Sequence, residues 1–392
     1  MKILYLVPHV PNPTKARSWY HIRGLLEAGH QVMVATLERG AADAARLKQL
    51  SELGVGIISA RISRIQMALN ATRTLTSWQP LQADLLWSDA LLRAVIDYVR
   101  REQPDIIHVE HLRMAKYGLW LRELRPVIWD AVDYLAPLFA QAATNGQGMG
   151  LRLAARIEAT RLPAYERWLT EQFSRTLVIT GRDRQLMSQD NPYADRIQVA
   201  PPGLPINTLE WVERESHTLI MTGTLNYHPN VASVHYFVER IWPDLRRTHP
   251  LLRLQLVGAH PTPAIQALAS TEVKVTGFVP SVMDYLQKAT IAVAPVQYGA
   301  GIQNKVLEAF LTATPVVASP EGLAGLEAQD GEHLLVADSP EDFAAAVSRL
   351  LDDPALRARI GAAGRAYIET HHDLRLTTQA LVAQYEAVMS QG

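Results

Sequence analysis

The chain reads as an α/β protein made of two doubly wound, Rossmann-like domains facing each other across a cleft. Three observations predict this. Its 392 residues exceed what one hydrophobic core ordinarily holds and suit two domains. Short aliphatic and β-branched runs alternate with helical periodicities through both halves, the pattern of parallel sheets covered on both faces. Between the halves, Ala200-Pro201-Pro202-Gly203-Leu204-Pro205 packs three prolines and a glycine into six residues, which suits a hinge.

In the first half the spacing predicts strands at 3–7, 32–36, 55–59, 106–109, 127–129 and 176–179. Helices are expected around 18–28, 43–53, 89–102, 111–123 and 151–173. The last carries Arg152, Arg156, Arg161 and Arg167 beside Leu, Trp and Tyr, and Pro163 inside it argues for a kink or a split. Such a helix suits either a membrane-surface contact or a sheet-packed helix with a solvated Arg/Glu face. The second half repeats the plan, with strands at 218–222, 252–257, 272–276, 290–294, 315–318 and 333–336. Its helices fall near 230–240, 263–269, 281–288, 304–312, 340–352 and 354–370, and a final one at 374–389. The expected domains are 1–203 and 204–370, followed by a C-terminal segment, 371–392.

Composition narrows the function classes. Apolar residues make up 48% and charged residues 20%, ordinary for a globular enzyme. There is no cysteine, so neither a disulfide framework nor thiolate chemistry is available, and a reducing compartment is expected. The opening MKILYLVPHV has an apolar run shorter than the roughly 7–15 residues of a signal peptide, and reads as a core strand. The expected location is cytoplasmic, with peripheral contact at the inner membrane face left open. Residues 1–200 hold 25 Lys and Arg against 19 Asp and Glu; residues 201–392 hold 13 against 20. A mildly basic first half suits an anionic acceptor or membrane surface, or docking between the halves. No basic stripe with interleaved aromatics points to nucleic acid.

The most informative stretch is Gly299–Ser319. Gly299 and Gly301 form a turn that runs straight into a helix, with Lys305 and Glu308 at i and i+3, before the strand Val316-Val317-Ala318. A loop-to-helix start offers unpaired backbone N–H groups and a partial positive charge, which attract phosphate. A cation and a carboxylate on one helix face suit a nucleotide-sugar, with its charged diphosphate and its ribose diol. The bland alternative is a glycine turn with a surface ion pair. After the first strand, Pro8–Arg17 lacks the Gly-x-Gly-x-x-Gly of a nicotinamide or flavin site, which argues against an oxidoreductase. At the next switch of strand and helix, Ile107-His108-Val109-Glu110-His111 places His108 and Glu110 on one side of a strand. Three ligands within four residues of a strand make an awkward metal site, so none is expected. Asp133 in Asp130-Ala131-Val132-Asp133 suits a cap for the following helix.

With these segments in order, the sequence resembles the family 4 glycosyltransferases, which have the GT-B fold. The resemblance rests on TLIMTGTLNYHPN (218–230), LRLQLVGA (252–259), VTGFVP (275–280), the 291–319 stretch, and EHLLVADSPEDFAAAVSRLLDDPALRARIGAAGRAYI (332–368). It implies transfer of a sugar from a nucleoside-diphosphate-sugar to a hydroxyl acceptor, a glycan or glycolipid, with retention of configuration. The nucleotide-sugar is the co-substrate, and no further cofactor or metal is expected. In the family motif two glutamates flank seven residues. The second falls on Glu308, which the resemblance makes the ribose ligand; the first falls on Ala300, so this chain is a Gly-rich variant lacking it. Backbone N–H groups of Gly301 and Ile302, with the side chains of Gln303 and Asn304, are the expected replacements. The family's Arg/Lys pair after the first strand of the second domain is also missing, leaving Gly223, Asn226 and His228 there and Lys305 as the phosphate cation. Asn230 reads as a helix cap. In the first domain Lys15 and Arg17 match basic loop positions, His108 and Glu110 lie at a strand end, and Asp130 falls near the family's active-site histidine. Asp130, Lys305 and Glu308 are therefore the expected catalytic set. A sugar-nucleotide epimerase of the same fold and a non-catalytic subunit of a polysaccharide-assembly complex are the competing readings.

Overall fold

The structure, a computed structural model, describes residues 1–13, 16–74, 76–145, 149–206, 212–298 and 301–390. It divides into two compact units, one formed by Met1–Pro205 with Asp373–Gly392, the other by Ile206–His372.

The first unit is built on a seven-stranded sheet of β1 (Lys2–Val7), β2 (Gln31–Glu38), β3 (Gly56–Arg61), β4 (Ile106–Glu110), β5 (Val127–Val132), β6 (Arg175–Val178) and β7 (Ile197–Val199). The order is β3-β2-β1-β4-β5-β6-β7, and every pairing is parallel. Side chains alternate across each strand, so both faces must be apolar if both are covered. Ile3, Tyr5 and Val7 point to one face with Val32 and Val34; Leu4 and Leu6 point to the other with Trp129, Tyr117 and Phe173. The first face is covered by the helices Ala16–Glu27 and Leu374–Met389, the latter supplying Leu381, Tyr385 and Val388. The chain re-enters this unit at Asp373, where Leu374 N–H donates to Leu204 O at 2.9 Å. A Cβ on Gly203 would fall 2.1 Å from Thr377 Oγ1, so the Pro-Gly segment lies tight against the returning helix.

The second unit holds a six-stranded parallel sheet in the order β10-β9-β8-β11-β12-β13. Its strands are β8 (Thr218–Thr222), β9 (Arg253–Val257), β10 (Val273–Val275), β11 (Ile291–Ala294), β12 (Val316–Ala318) and β13 (Leu335–Val336). Its core gathers Leu219, Leu254, Ile291, Val317, Phe237 and Phe343. In both sheets the winding reverses once, between β1 and β4 and between β8 and β11. In open α/β sheets ligands gather at such reversals, beyond the carboxyl ends of the strands.

Both doubly wound sheets expected from the alternation are present. The helices at 89–102, 340–352 and 374–389 match the expected limits. Strand β7 and the helices Arg64–Arg73, Leu81–Leu85, Leu135–Asn145 and Gly181–Ser188 were not foreseen. Of the kink or split expected at Pro163, the split does not occur, for a single helix runs from Met149 to Gln172 through it. Its length and its packing against Leu135–Asn145 outweigh the one hydrogen bond that proline removes. Among the described residues, no helix is long and apolar enough to cross a membrane.

Candidate active site

In the second unit the carboxyl ends of β8 and β11 meet at the winding reversal, where a small cavity is bounded by Thr222, Asn230, Ala294, Pro295 and Lys305. Gly223 leaves β8 at φ 140°, and a Cβ on Gly258 after β9 would fall 1.8 Å from Gly223 O. The two loops approach more closely than any side chain permits. Gly301 has φ 65°, a left-handed turn suited to glycine, and delivers the chain into the helix Asn304–Leu311. Gln303 occupies the N-cap position but makes no side-chain cap. Val306 N–H donates to Gln303 O at 2.9 Å, while the Asn304 and Lys305 N–H groups ahead of it have no intrahelical acceptor and carry the partial positive charge of the helix start.

Lys305 and Glu308 project from this helix, both half-buried. Lys305 Nζ donates to Asn230 Oδ1 at 2.8 Å, and Asn230 Nδ2 donates to Thr224 O at 3.0 Å. Asn230 therefore does not cap its helix. Tyr227 holds the N-cap position of His228–Tyr236, and Asn230, inside the first turn, ties the β8 loop to Lys305 instead. Burial brings the Lys305 ammonium down to about 8, against the upward pull of Glu308. Burial likewise raises the Glu308 carboxyl to about 7, against the downward pull of Lys305. Among the described residues the Glu308 carboxylate takes part in no hydrogen bond or ion pair. A half-buried carboxylate that no protein donor engages can still accept hydrogen bonds from a ligand.

The other expected residues are less closely gathered. Ile302 and Gln303 are half-buried and Asn304 is exposed, all on the approach to the helix. Asn226 is exposed in the β8 loop, and His228 is engaged by the Tyr298 hydroxyl through Nδ1. Ala300 and Lys15 lie outside the described residues.

In the first unit the reversal between β1 and β4 holds a buried polar network. Asp130, at the end of β5, receives Arg17 Nε at 3.0 Å and Arg17 Nη2 at 2.8 Å, while Arg17 Nη1 donates to Ala200 O at 2.9 Å. His108 Nε2 lies 3.3 Å from Asp130 Oδ2, off the line of a good hydrogen bond. Tyr385, from the returning C-terminal helix, has its hydroxyl 2.9 Å from His108 Nδ1. Tyr5 stacks on His108 with ring centroids 4.2 Å apart and donates to Glu110 Oε2 at 2.7 Å. Burial alone would raise the Asp130 carboxyl, but Arg17 and then His108 carry it well below its usual range. Burial first, and then the Arg17 charge, push His21 well below its ordinary value; burial lowers His108 too. Both rings are therefore neutral near pH 7.

These contacts relocate three expected ligand contacts. Asp130, His108 and Glu110 are buried, and their polar atoms face one another and two tyrosines rather than an open surface. The strand positions 108 and 110 point inward because both faces of this sheet are covered. The ligand atoms of His21, His108 and Asp130 lie within 4.8 Å of one another, a spacing that could hold a metal. Arg17 already grips the Asp130 carboxylate, and its charge opposes a dication there. Asp133 does not cap the following helix. Glu166 does so, accepting from Leu135 N–H at 2.9 Å and Ala136 N–H at 3.2 Å.

Sequence reasoning missed Tyr5, His21 and Tyr385. Tyr5 and His21 read as part of a core strand and an ordinary helix; Tyr385 is 277 residues from its partner. The backbone also departs from the ordinary here: His111 has φ 72° and Val132 φ 71°, at the ends of β4 and β5. Val132 is β-branched, so that conformation is strained, and the register of β5 with β6 shifts at that point. A concavity of this unit opens at the opposite end of the sheet, beside Lys2, His30, Tyr98 and Arg101, and no expected site residue lines it.

Two doubly wound parallel-sheet units in one chain are the architecture of the GT-B fold. Comparison with known proteins agrees. Residues 16–203 match the Glycosyl transferase 4-like domain, and residues 216–353 match Glycosyl transferases group 1. The chain is a glycosyltransferase of the GT-B fold, similar to family 4. It is 23% identical over 379 residues to a glycogen synthase of Mycobacterium tuberculosis, covering 93% of this chain and 88% of the relative. It is 28% identical over 301 residues to a D-inositol 3-phosphate glycosyltransferase of Kineococcus radiotolerans, covering 66% of each. Among solved structures it resembles HepE of Anabaena in complex with UDP-glucose, with a TM-score of 0.69 and 16% identity over 99% of this chain and 100% of that one. Sucrose-phosphate synthase of Thermosynechococcus elongatus superposes with a TM-score of 0.73 at 16% identity, covering 100% of both chains.

Proposed function

We propose that the chain transfers a sugar from a nucleoside-diphosphate-sugar to a hydroxyl of a glycan or glycolipid acceptor, with retention and without a metal, in surface polysaccharide or glycolipid synthesis. The observation that carries the donor site is Glu308: a half-buried carboxylate with no partner among the described residues, one helical turn from Lys305. A carboxylate accepts two hydrogen bonds from a vicinal diol, so Glu308 is assigned to the ribose. Lys305, held by Asn230, and the N–H groups of Ile302 to Asn304 are assigned to the diphosphate.

The chemistry asked of these groups is modest. Charge grows on the departing diphosphate as the glycosidic bond breaks, and fixed N–H dipoles with an ammonium stabilise it there. The leaving phosphate can take the acceptor proton, so no dedicated base is required. Asp130 acts through Arg17, which it orients, and is a positioning residue. The Anabaena relative was solved with UDP-glucose, which supports a nucleotide-sugar of that general kind as donor.

Isothermal titration with UDP, GDP and their sugars tests the site. Binding of one nucleotide that Glu308→Gln weakens is the expected result, and absence of any nucleotide binding overturns the assignment. Product analysis tests the reaction: free nucleoside diphosphate with a glycosylated acceptor supports transfer. An altered sugar-nucleotide alone would instead identify an epimerase, and binding without turnover a non-catalytic subunit.

A further inference from the structure

On the reading of the chain as a sugar transferase, we propose that its first unit accepts a sugar bearing an oxyanion, a carboxylate or a phosphate ester, held by Arg39 and Arg113. Arg39 directly follows β2, and Arg113 lies in the first turn of the helix Leu112–Leu121, just after β4. The strand order β2-β1-β4 sets both at the carboxyl end of the sheet, on either side of β1. In open α/β sheets ligands bind at that end. Arg113 is half-buried and fixed by an uncharged partner: its Nε and Nη2 donate to Gln82 Oε1 at 2.9 and 2.6 Å. Gln82 N–H in turn donates to Glu158 Oε1 at 3.0 Å, and these two residues are 7% and 3% exposed. A buried base thus orients the guanidinium, and a carboxamide oxygen does so without cancelling its charge. Arg113 Nη1 has no acceptor among the described residues.

Arg39 is exposed, and its guanidinium makes no hydrogen bond or ion pair among the described residues. Burial lowers the Arg113 guanidinium, the Arg39 charge lowers it further, and Glu158 pulls the other way. The two cations therefore lie within each other's field. The nearby carboxylates are committed elsewhere. Glu38 accepts from the Ser59 hydroxyl at 2.7 Å and lies 3.9 Å from Arg61 Nε. Asp43 accepts from the Arg39 backbone N–H and from Arg46 Nη1, both at 2.8 Å. Asp84 pairs with Lys116 at 2.7 Å. Glu158 is spent on Gln82, and burial raises its own carboxyl. Two guanidiniums with no carboxylate paired to either repel each other, and an oxyanion reached by both replaces that repulsion with two attractions. The flat arginine fork matches a carboxylate or a phosphate. The donor diphosphate is assigned its own ammonium and helix start in the second unit, which leaves these arginines for the acceptor.

The test is titration calorimetry of the full chain with glucuronate, glucose 6-phosphate and glucose at constant ionic strength. A charged sugar should bind and glucose should not. Arg39→Gln and Arg113→Gln should each weaken that binding roughly ten- to a hundred-fold, with nucleotide affinity as in the parent. Arg39 has no side-chain partner to lose, so Arg39→Gln should melt with the parent and separates a lost contact from a lost fold. Arg113→Lys keeps the charge without the fork and should restore only part of the affinity. Binding of glucuronate alone, or of the phosphate alone, supports the site and tells which oxyanion it takes. No binding of either charged sugar overturns the proposal, as does glucose bound equally well or binding that both glutamine variants leave unchanged. Charged-sugar binding by a chain that binds no nucleotide would remove the donor site and leave this one standing. Nucleotide binding without charged-sugar binding would do the reverse.

Discussion

The two winding reversals carry similar residues and treat them in opposite ways. Around β1 and β4 the charges are closed on themselves: Asp130 is gripped by Arg17, flanked by His108, and locked behind Tyr385. Around β8 and β11 they are left open: Lys305 has one neutral partner, Asn230, and Glu308 has none among the described residues. The difference teaches where each unit directs its polar groups. A buried, bidentate ion pair fixes a shape, and removing one partner strands the other. A half-buried carboxylate with no protein donor, its carboxyl raised by burial, stays available to a ligand that can donate to it.

The comparison breaks most visibly at Asp130. Asp130→Ala leaves a guanidinium in an almost closed site, and a loss of about 3–5 kcal/mol of stability is expected. Thermal melting and denaturant titration measure it. A variant as stable as the parent would mean that Arg17 finds water instead, and that the first unit is not the closed network described. Arg17→Met with Asp130→Leu, removing both charges, should recover much of the loss.

Glu308→Gln is the mirror experiment. Stability should hold or rise slightly, because a raised carboxyl with no donor contributes nothing favourable. Nucleotide affinity should fall by about 1.5–3 kcal/mol, the usual worth of a hydrogen bond to a charged group. Titration calorimetry reads the affinity and melting reads the stability. Equal falls in both would make Glu308 structural, and the contrast between the units would disappear.

A smaller effect is expected from Tyr385→Phe, which takes the hydroxyl from His108 Nδ1 and leaves a buried ring nitrogen unpaired, at about 1–3 kcal/mol. Paired with Asp130→Asn in a double-mutant cycle, it should show a coupling of about 0.5 kcal/mol or more, since both act through one imidazole. Simple additivity would mean that the C-terminal helix only covers the sheet.

The same contrast explains how much could be read from the sequence. The 301–308 turn is local: glycine, helix start, cation and carboxylate fall within eight residues, so their spacing alone proposes a phosphate and diol site. The sheets were legible for the same reason, since strand and helix periods are local signals. The first-unit network draws on Tyr5, Arg17, His108, Asp130 and Tyr385, which only the topology brings together. His108 and Glu110 looked like ligands because alternation put them on one strand face. Whether that face meets solvent or a helix is a tertiary fact, and here the C-terminal helix covers it. The helix Leu135–Asn145 escaped because its start is capped from a distance, by Glu166, rather than by a neighbouring residue.

The mildest prediction sharpens the comparison through pH. Burial has raised Glu308 to about 7 and lowered Lys305 to about 8. Ribose capture needs the carboxylate, so nucleotide affinity should climb as pH rises through about 7. Phosphate capture needs the ammonium, so affinity should fall again above about 8. The result is a narrow maximum between the two, with each flank changing by about tenfold per unit at most. The unliganded protein should behave in the reverse sense on the acid side. A carboxyl raised on folding holds its proton more tightly in the folded state. Its folding penalty is therefore absent below the unfolded value and grows as pH rises toward about 7. In Glu308→Gln both the acid flank of binding and this stability slope should vanish, leaving only the Lys305 flank. In Asp130→Asn, by contrast, the acid flank of binding should persist, because Asp130 titrates far below this window. Calorimetry and melting across pH 5 to 9 separate the two. A profile that is flat in the parent, or an acid flank that survives Glu308→Gln, would show that the open carboxylate is not what the nucleotide meets.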